Sequence, residues 1–205
     1  MRILVACEFS GIVRDAFAKR GHDVWSCDLL PTERPGQHIQ GDVLGILGDG
    51  WDLMIAHPPC THLAVSGAQW FAEKRKDGRQ QEGADFFMAL VNAPVPKVAV
   101  ENPIGVMSRL YRKPDQIVHP WWFGHPTAKA TCLWLKGLPP LFATHVVEPE
   151  WHVSKTGKRH SMWDYNVSRD HKNRGHLRSV TFEGIAEAMA EQWNALVAAL
   201  AKEET

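Results

Sequence analysis

The chain of 205 residues predicts an α/β fold built on a mostly parallel sheet. Three observations carry that reading. Short apolar runs alternate with helix-patterned stretches over residues 2–100, the order that gives right-handed strand–helix–strand crossovers. Each run is apolar enough to be a buried strand and stops abruptly in a polar or proline-bearing turn. Composition is that of a globular domain, 44% hydrophobic and 22% charged. This length suits one domain, or one with a small appendage, and buries roughly two-thirds or more of the surface of the unfolded chain.

Taken in order, residues 2–7 (RILVAC) are a buried strand. Residues 11–20 form a helix with Ile12, Val13, Ala16 and Phe17 on one face, ending at Gly21. Residues 23–28 (DVWSCD) are a second strand that ends in an acid. A loop with Pro31 and Pro35 leads to a short third strand within 38–43. Residues 52–56 (DLMIA) are a fourth strand, stopped by His57-Pro58-Pro59. The polar stretch 61–83, with its charged run 73–79, is expected to be a mobile active-site loop. Residues 84–93 are a helix and 97–100 another strand. Residues 129–135 alternate as a strand that stops at Gly137-Leu138-Pro139-Pro140. Residues 142–178 show no clear period. Residues 181–200 form a helix on the stripe Phe182, Ile185, Ala186, Met189, Trp193, Leu196, Val197 and Leu200.

In such sheets ligands bind beyond the carboxyl ends of the strands, so chemistry is sought there first. Pro58-Pro59 fixes φ twice and removes two backbone donors, a rigid turn that presents Cys60 as a nucleophile. Glu101 follows the strand 97–100 and gives a proton donor or hydrogen-bond partner on a neighbouring strand. Asn102 orders that turn and Pro103 stiffens it. Phe9-Ser10-Gly11 joins the first strand to the first helix, where glycine permits close ligand approach and the helix offers unpaired donors. The GxGxxG dinucleotide fingerprint is absent. Asp28 is placed to hold ribose hydroxyls, and Asp42 to bind an exocyclic amine.

Charge is balanced, 23 acids against 23 bases, which is not the profile of a protein that coats nucleic acid. The distribution is uneven. Residues 151–178 carry seven bases (Lys155, Lys158, Arg159, Arg169, Lys172, Arg174, Arg178) against Asp164 and Asp170, with four histidines. That segment is expected to meet an anion. The four cysteines form no CxxC pair and suit a reduced, cytoplasmic setting. None of the histidines of the C-terminal half pairs with a cysteine at ligand spacing, so no metal is expected. No apolar stretch of about 18 residues predicts a membrane span, and the first residues lack the h-region of a signal peptide.

These motifs resemble those of the cytosine-5 DNA methyltransferase family, especially its small phage and prophage members. The resemblance covers nearly the whole chain and is strongest over residues 2–103. Phe9-Ser10-Gly11 is similar to the family's Phe-x-Gly motif, Gly41-Asp42-Val43 to its adenine-reading acid, and Asp28 to its ribose-binding acid. Pro58-Pro59-Cys60 resembles the Pro-Cys motif, and Glu101-Asn102-Pro103 the Glu-Asn-Val motif. Val13 and Arg14 stand where the family usually has glycines, and Thr61 where Gln is common. For the family's Gln-x-Arg-x-Arg strand the nearest counterpart is Lys129-Ala130-Thr131.

The resemblance implies a Rossmann-like fold dependent on S-adenosylmethionine, with a mostly parallel sheet and a reduced target-recognition region. It implies that Cys60 and Glu101 are catalytic. Phe9, Ser10, Gly11, Asp28, Leu29, Asp42, Val43 and Pro58 would bind the cofactor. Asn102, Pro103, Lys129, Thr131, Lys158, Arg159 and Arg174 would bind the substrate. Residues 1–138 would be the catalytic core, 139–178 the small basic recognition region, and 179–205 a helix returning to the core. The expected partner is double-stranded DNA, met by a monomer in the cytoplasm of a bacterium or phage-infected cell. A flipped-out cytosine would be attacked by Cys60 at ring carbon 6 and methylated at carbon 5. An amino-methyltransferase, a catalytically weak DNA-binding relative, and an enzyme using a modified donor, RNA or a free nucleotide stay open as alternatives.

Overall fold

The sheet that carries the site is laid out around two adjacent strands, β1 (Arg2–Ala6) and β4 (Leu53–Ala56). Outside β1 lie β2 (Asp23–Asp28) and β3 (His38–Gln40), and outside β4 lie β5 (Lys97–Pro103), β7 (Thr131–Lys136) and β6 (Gln116–Val118). The order is β3-β2-β1-β4-β5-β7-β6. Strands β1 to β5 pair in parallel, and β7 runs antiparallel to β5. This is the α/β, Rossmann-like architecture that the sequence predicts. The computed structural model describes the backbone of residues 1–203 and the side chains of residues 1–194.

The strands are strands because their side chains are buried on both faces. Ile3, Leu4, Val5, Leu53, Met54, Ile55, Ala99 and Val100 are all fully inaccessible. Each large aliphatic among them contributes about 1.5–3 kcal/mol by leaving water. Helix α1 (Ile12–Ala18) buries Val13, Ala16 and Phe17. Further along, α2 (Phe71–Lys76) leads into α3 (Arg79–Val91), whose Phe87 meets the Trp134 ring edge-on at 5.0 Å.

Between β2 and β3 there is no helix, only the loop 29–37. Arg14 makes this short crossover possible. Its side chain is 1% exposed and spans from α1 to that loop. It donates to Ser26 Oγ (3.2 Å), Thr32 Oγ1 (3.0 Å) and the carbonyls of Arg34 (3.0 Å) and Pro35 (3.1 Å), and pairs with Asp15 (2.9 Å). Gly11 has φ +74°, and a Cβ there would stand 2.5 Å from the guanidinium. The Arg14 guanidinium therefore fills the volume beside Gly11.

Two expectations are corrected. The stretch 61–83 is not a mobile loop: it holds a 3₁₀ helix (Val65–Trp70), all of α2 and the start of α3. Lys74 and Gln80 are buried there and donate to the carbonyls of Thr61 (2.7 Å) and His62 (3.2 Å). The third strand falls within the expected 38–43, as His38–Gln40, and Val43–Ile46 is a 3₁₀ turn capped by Asp42. Residues 142–178 do have order: a hairpin of β8 (Trp151–Val153) and β9 (Arg159–Ser161), then α5 (Met162–Arg169) and α6 (Arg174–Ser179).

The chain divides into two compact units, Met1–Ile117 with Thr131–Pro140, and Val118–Ala130 with Leu141–Thr205. Residues 118–130 and 179–205 fall in the same unit as the basic segment. Within the second unit Phe182 packs against His125 (5.2 Å) and Trp163 (5.5 Å). The last helix, α7 (Glu183–Glu203), buries Ile185, Ala186, Met189 and Trp193. Leu196, Val197 and Leu200 of the expected stripe lie outside the described side chains.

Candidate active site

At the end of β1 the chain turns sharply. Cys7 takes φ 58°, a left-handed conformation that a non-glycine side chain adopts only when its surroundings impose it. The turn places Glu8 under α1, 4% exposed. Its carboxylate accepts from the N–H of Val13 (2.6 Å) and Arg14 (3.2 Å) and from Ser10 Oγ (3.3 Å). Those helix donors are thereby used by the protein itself. Burial pushes the Glu8 carboxyl above its ordinary range, against the pull of His57 and the two N–H groups. Phe9 is half-buried, and its carbonyl accepts from Glu33 N–H (2.9 Å), which pins the β2–β3 loop to the end of β1.

The two strand-end acids converge on Cys7. Burial, reinforced by Asp28, Cys27 and Asp42, pushes its thiol up to about 12. One oxygen of Asp28 accepts from Leu30 N–H (2.9 Å), and one of Asp42 from Leu44 N–H (3.0 Å). Both are tight Asx turns that hold each carboxylate in place. Among the described residues the second oxygen of each has no hydrogen-bond partner. Beside them Leu29 is 73% exposed and Leu30 53%. Two oriented acceptors and an apolar shelf therefore stand at this end of the site. Val43, by contrast, is 4% exposed and packs into the core. Ser10 and Gly11 are also buried, so this end of the site offers a ligand backbone rather than side chains.

The second half of the site lies at the ends of β4 and β5. The Cys60 carbonyl accepts from the N–H of Leu63 (3.0 Å) and Ala64 (2.9 Å), so the chain folds back directly after the thiol. Cys60 itself is half-buried. The segment that follows is bolted to the one after Glu101. Val65 N–H donates to the Ile104 carbonyl (3.0 Å), and Val106 N–H to the Leu63 carbonyl (2.9 Å). A Cβ on Gly105 would stand 2.4 Å from the Leu63 carbonyl oxygen, so only glycine permits this approach. Asn102, 2% exposed, adds a third tie by donating to the Pro58 carbonyl (2.9 Å). His57, whose side chain is 8% exposed, sits with Nδ1 3.1 Å from Glu101 Oε2. Its Nε2 is buried with no partner.

Cys60, Glu101, Asp28, Asp42 and Phe9 therefore all lie at the carboxyl edge of one sheet, where the sequence places them. Three of the expected substrate contacts are used internally. Asn102 faces Pro58. Thr131 is 5% exposed and paired with Pro103 across β5 and β7. Lys129, in the second unit, donates to the Arg178 carbonyl (3.2 Å) and lies over the rings of Trp163 and Phe182. Lys158, Arg159 and Arg174 are exposed, with the Arg159 guanidinium 4.5 Å from the centre of the Trp151 ring. His57, Glu8, Arg14 and Gly105 belong to the arrangement, and no sequence motif marks them as site residues. A cavity of about 320 Å³ lies elsewhere on the first unit, lined by Val98, Tyr111, Arg112, Trp134 and Lys136 among others, beside the start of β5.

Among the described residues no group of His, Cys, Asp or Glu is arranged to hold a metal ion, and no helix is long and apolar enough to cross a membrane. No family model and no curated protein matches the chain. Among solved structures, the chain is similar to a prophage-encoded protein from E. coli, named provisionally as a DNA modification methyltransferase. That likeness covers 86% of this chain and 68% of the other at 15% identity, with a TM-score of 0.48.

Proposed function

We propose that the protein is a DNA methyltransferase acting on carbon 5 of cytosine in double-stranded DNA, with S-adenosylmethionine as donor. The observation that carries this reading is the bolted pair of loops. A thiol and a carboxyl on adjacent parallel strands are held in mutual register by three hydrogen bonds, two of them backbone to backbone. Such rigidity has a use when both groups act on one flat ring at once. An amino-methyltransferase needs no nucleophile and would leave this arrangement without a task.

Asp28, Asp42, Leu29 and Phe9 would hold the cofactor, which supplies an electrophilic methyl group when bound. The chain's own residues do the rest. Val65, Trp70 and Ile104, each more than two-fifths exposed, offer an apolar lip against which a base leaving the stack can rest. The Cys60 thiol gives its proton to solvent, and the thiolate forms a bond to ring carbon 6 as the carbon 5–carbon 6 double bond opens. Glu101 gives a proton to ring nitrogen 3, so the electron pair from that addition is directed to carbon 5. Carbon 5 would take the methyl group that the bound cofactor supplies; its proton then passes to solvent, the carbon–sulfur bond breaks to release the Cys60 thiolate, and nitrogen 3 returns its proton to Glu101. Lys158, Arg159 and Arg174 are assigned to phosphates, with the second unit as the DNA-facing region.

The test is the modified base itself. Nucleosides from DNA of a host expressing the protein, resolved by mass spectrometry and bisulfite sequencing, are expected to contain 5-methylcytosine in a short sequence context. N4-methylcytosine or N6-methyladenine in its place would replace this reading with the amino-methyltransferase one.

A further inference from the structure

Between the two carboxylates of the site stands a histidine that the reaction above does not use. His57 directly follows β4, with its backbone N–H bound to the Ala6 carbonyl (2.9 Å), so the ring is fixed between the ends of β1 and β5. On the β5 side its Nδ1 meets Glu101 Oε2 at 3.1 Å. On the β1 side lies Glu8, whose carboxylate is immobilised as the cap of α1 and is electrostatically coupled to the imidazole. Arg14, the other cation that acts on Glu8, has its guanidinium committed to Asp15 and the β2–β3 loop. Nε2 is buried and has no partner. The ring therefore has one open port for a proton, Nδ1, and Glu101 stands at that port.

We propose that His57 is a positioning residue that orients Glu101 and reloads it with the proton delivered to ring nitrogen 3. This rests on the reading of Cys60 and Glu101 given above. As the sulfur–carbon 6 bond forms, Glu101 passes its proton to nitrogen 3, and the imidazolium passes its Nδ1 proton to the Glu101 carboxylate. The imidazole keeps its buried Nε2 proton throughout. When Cys60 leaves, the proton on nitrogen 3 returns to Glu101 and from there to Nδ1. A carboxylate held only by backbone turns would have to draw its proton from solvent after the base had closed the site.

The test compares wild type, His57→Asn and Glu101→Gln. Asparagine places an N–H near the position of Nδ1 but does not titrate in this range. Single-turnover methyl transfer is measured with saturating S-adenosylmethionine on a cytosine-containing duplex, from about pH 5.5 to 8.5. The wild type is expected to slow toward the alkaline end of that range. His57→Asn is expected to lose that limb and to run about 10²-fold slower at the optimum, with unchanged cofactor binding. His57→Asn with a slower rate but the wild-type pH profile would make the residue merely structural and overturn the proposal, as would a wild-type rate. An independent readout separates this from failure of the cytosine reading. The pair predicts an exchange-protected imidazole N–H proton resonance that is absent in His57→Asn and in Glu101→Ala. Its persistence in Glu101→Ala would overturn the pairing whatever the substrate is, whereas its loss together with no 5-methylcytosine from the wild type would remove only the reaction.

Discussion

The cysteines separate into one candidate nucleophile and three that are held as thiols. Burial pushes Cys7 to about 12, Cys27 to about 11 and Cys132 to about 11, with Asp28 and Glu101 adding to the effect. A thiol is neutral below its pKa, so at pH 8 these three carry a thiolate fraction on the order of 10⁻³ to 10⁻⁴. Cys60 follows a rigid Pro-Pro turn and is half-buried, as Cys7 is, whereas Cys27 and Cys132 are buried. Brief alkylation of the folded protein with iodoacetamide at pH 8, followed by peptide mapping, is expected to modify Cys60 and spare the other three. Modification of Cys7 at a comparable rate would mean that the acid-lined end of β1 is not as closed as its geometry implies. The strand-end side chains are legible in the sequence because a strand end puts a residue in the site by position alone. His57 is not, because its meaning comes from a partner 44 residues away.

At the scale of elements, the site depends on how two loops are joined more than on either loop. Gly105 is the hinge pin: any Cβ there drives into the Leu63 carbonyl. Gly105→Ala is expected to separate the Cys60 and Glu101 segments by a fraction of an ångström to an ångström. That displacement slows methyl transfer by about 10²-fold and costs about 1–3 kcal/mol of stability. Rate and melting temperature measured on the same preparation check it; an unchanged rate would show that the loops move independently. The sequence offers no sign of this bridge, since a lone glycine after Glu-Asn-Pro reads as an ordinary turn. The misreading of 61–83 has a related cause. Hydrophobic periodicity finds helices through apolar stripes, whereas α2 turns Lys74 inward and buries its stem while the ammonium group reaches the Thr61 carbonyl.

For the whole molecule, the proposed substrate raises the question of how a chain of zero net charge would hold a polyanion. The first unit carries the strand-end acids, and the second carries the basic excess of residues 151–178. Not all of that excess is available. Arg178 pairs with Asp164 (3.0 Å), and the Arg169 side chain is bonded to the Tyr165 hydroxyl (2.7 Å). Lys158 and Arg159 stay exposed on the β8–β9 hairpin. Replacing both with Ala is expected to weaken duplex binding across sequences. It should also flatten the salt dependence of log K by up to about one unit for each phosphate no longer neutralised. Calorimetric affinity for S-adenosylmethionine should not change, because the residues assigned to it lie in the other unit. An unaltered salt slope would move the phosphate-binding role to another basic surface. The parallel sheet is legible because long apolar strands declare themselves. Apart from α7, whose apolar stripe is plain, the second unit is not, because its strands are three residues long and its helices α5 and α6 short, too brief for a period to register.

The central claim is that Cys60 attacks carbon 6 of a cytosine. The most direct measurement incubates the protein with S-adenosylmethionine and a duplex in which 5-fluorocytosine replaces cytosine, since fluorine at carbon 5 cannot leave as a proton and blocks release of the thiol. A denaturation-resistant protein–DNA complex is expected whose cross-linked peptide contains Cys60, formed by wild type, absent in Cys60→Ala, and slowed by orders of magnitude in Glu101→Gln. A methylated duplex with no covalent complex, or a complex that persists in Cys60→Ala, would contradict it.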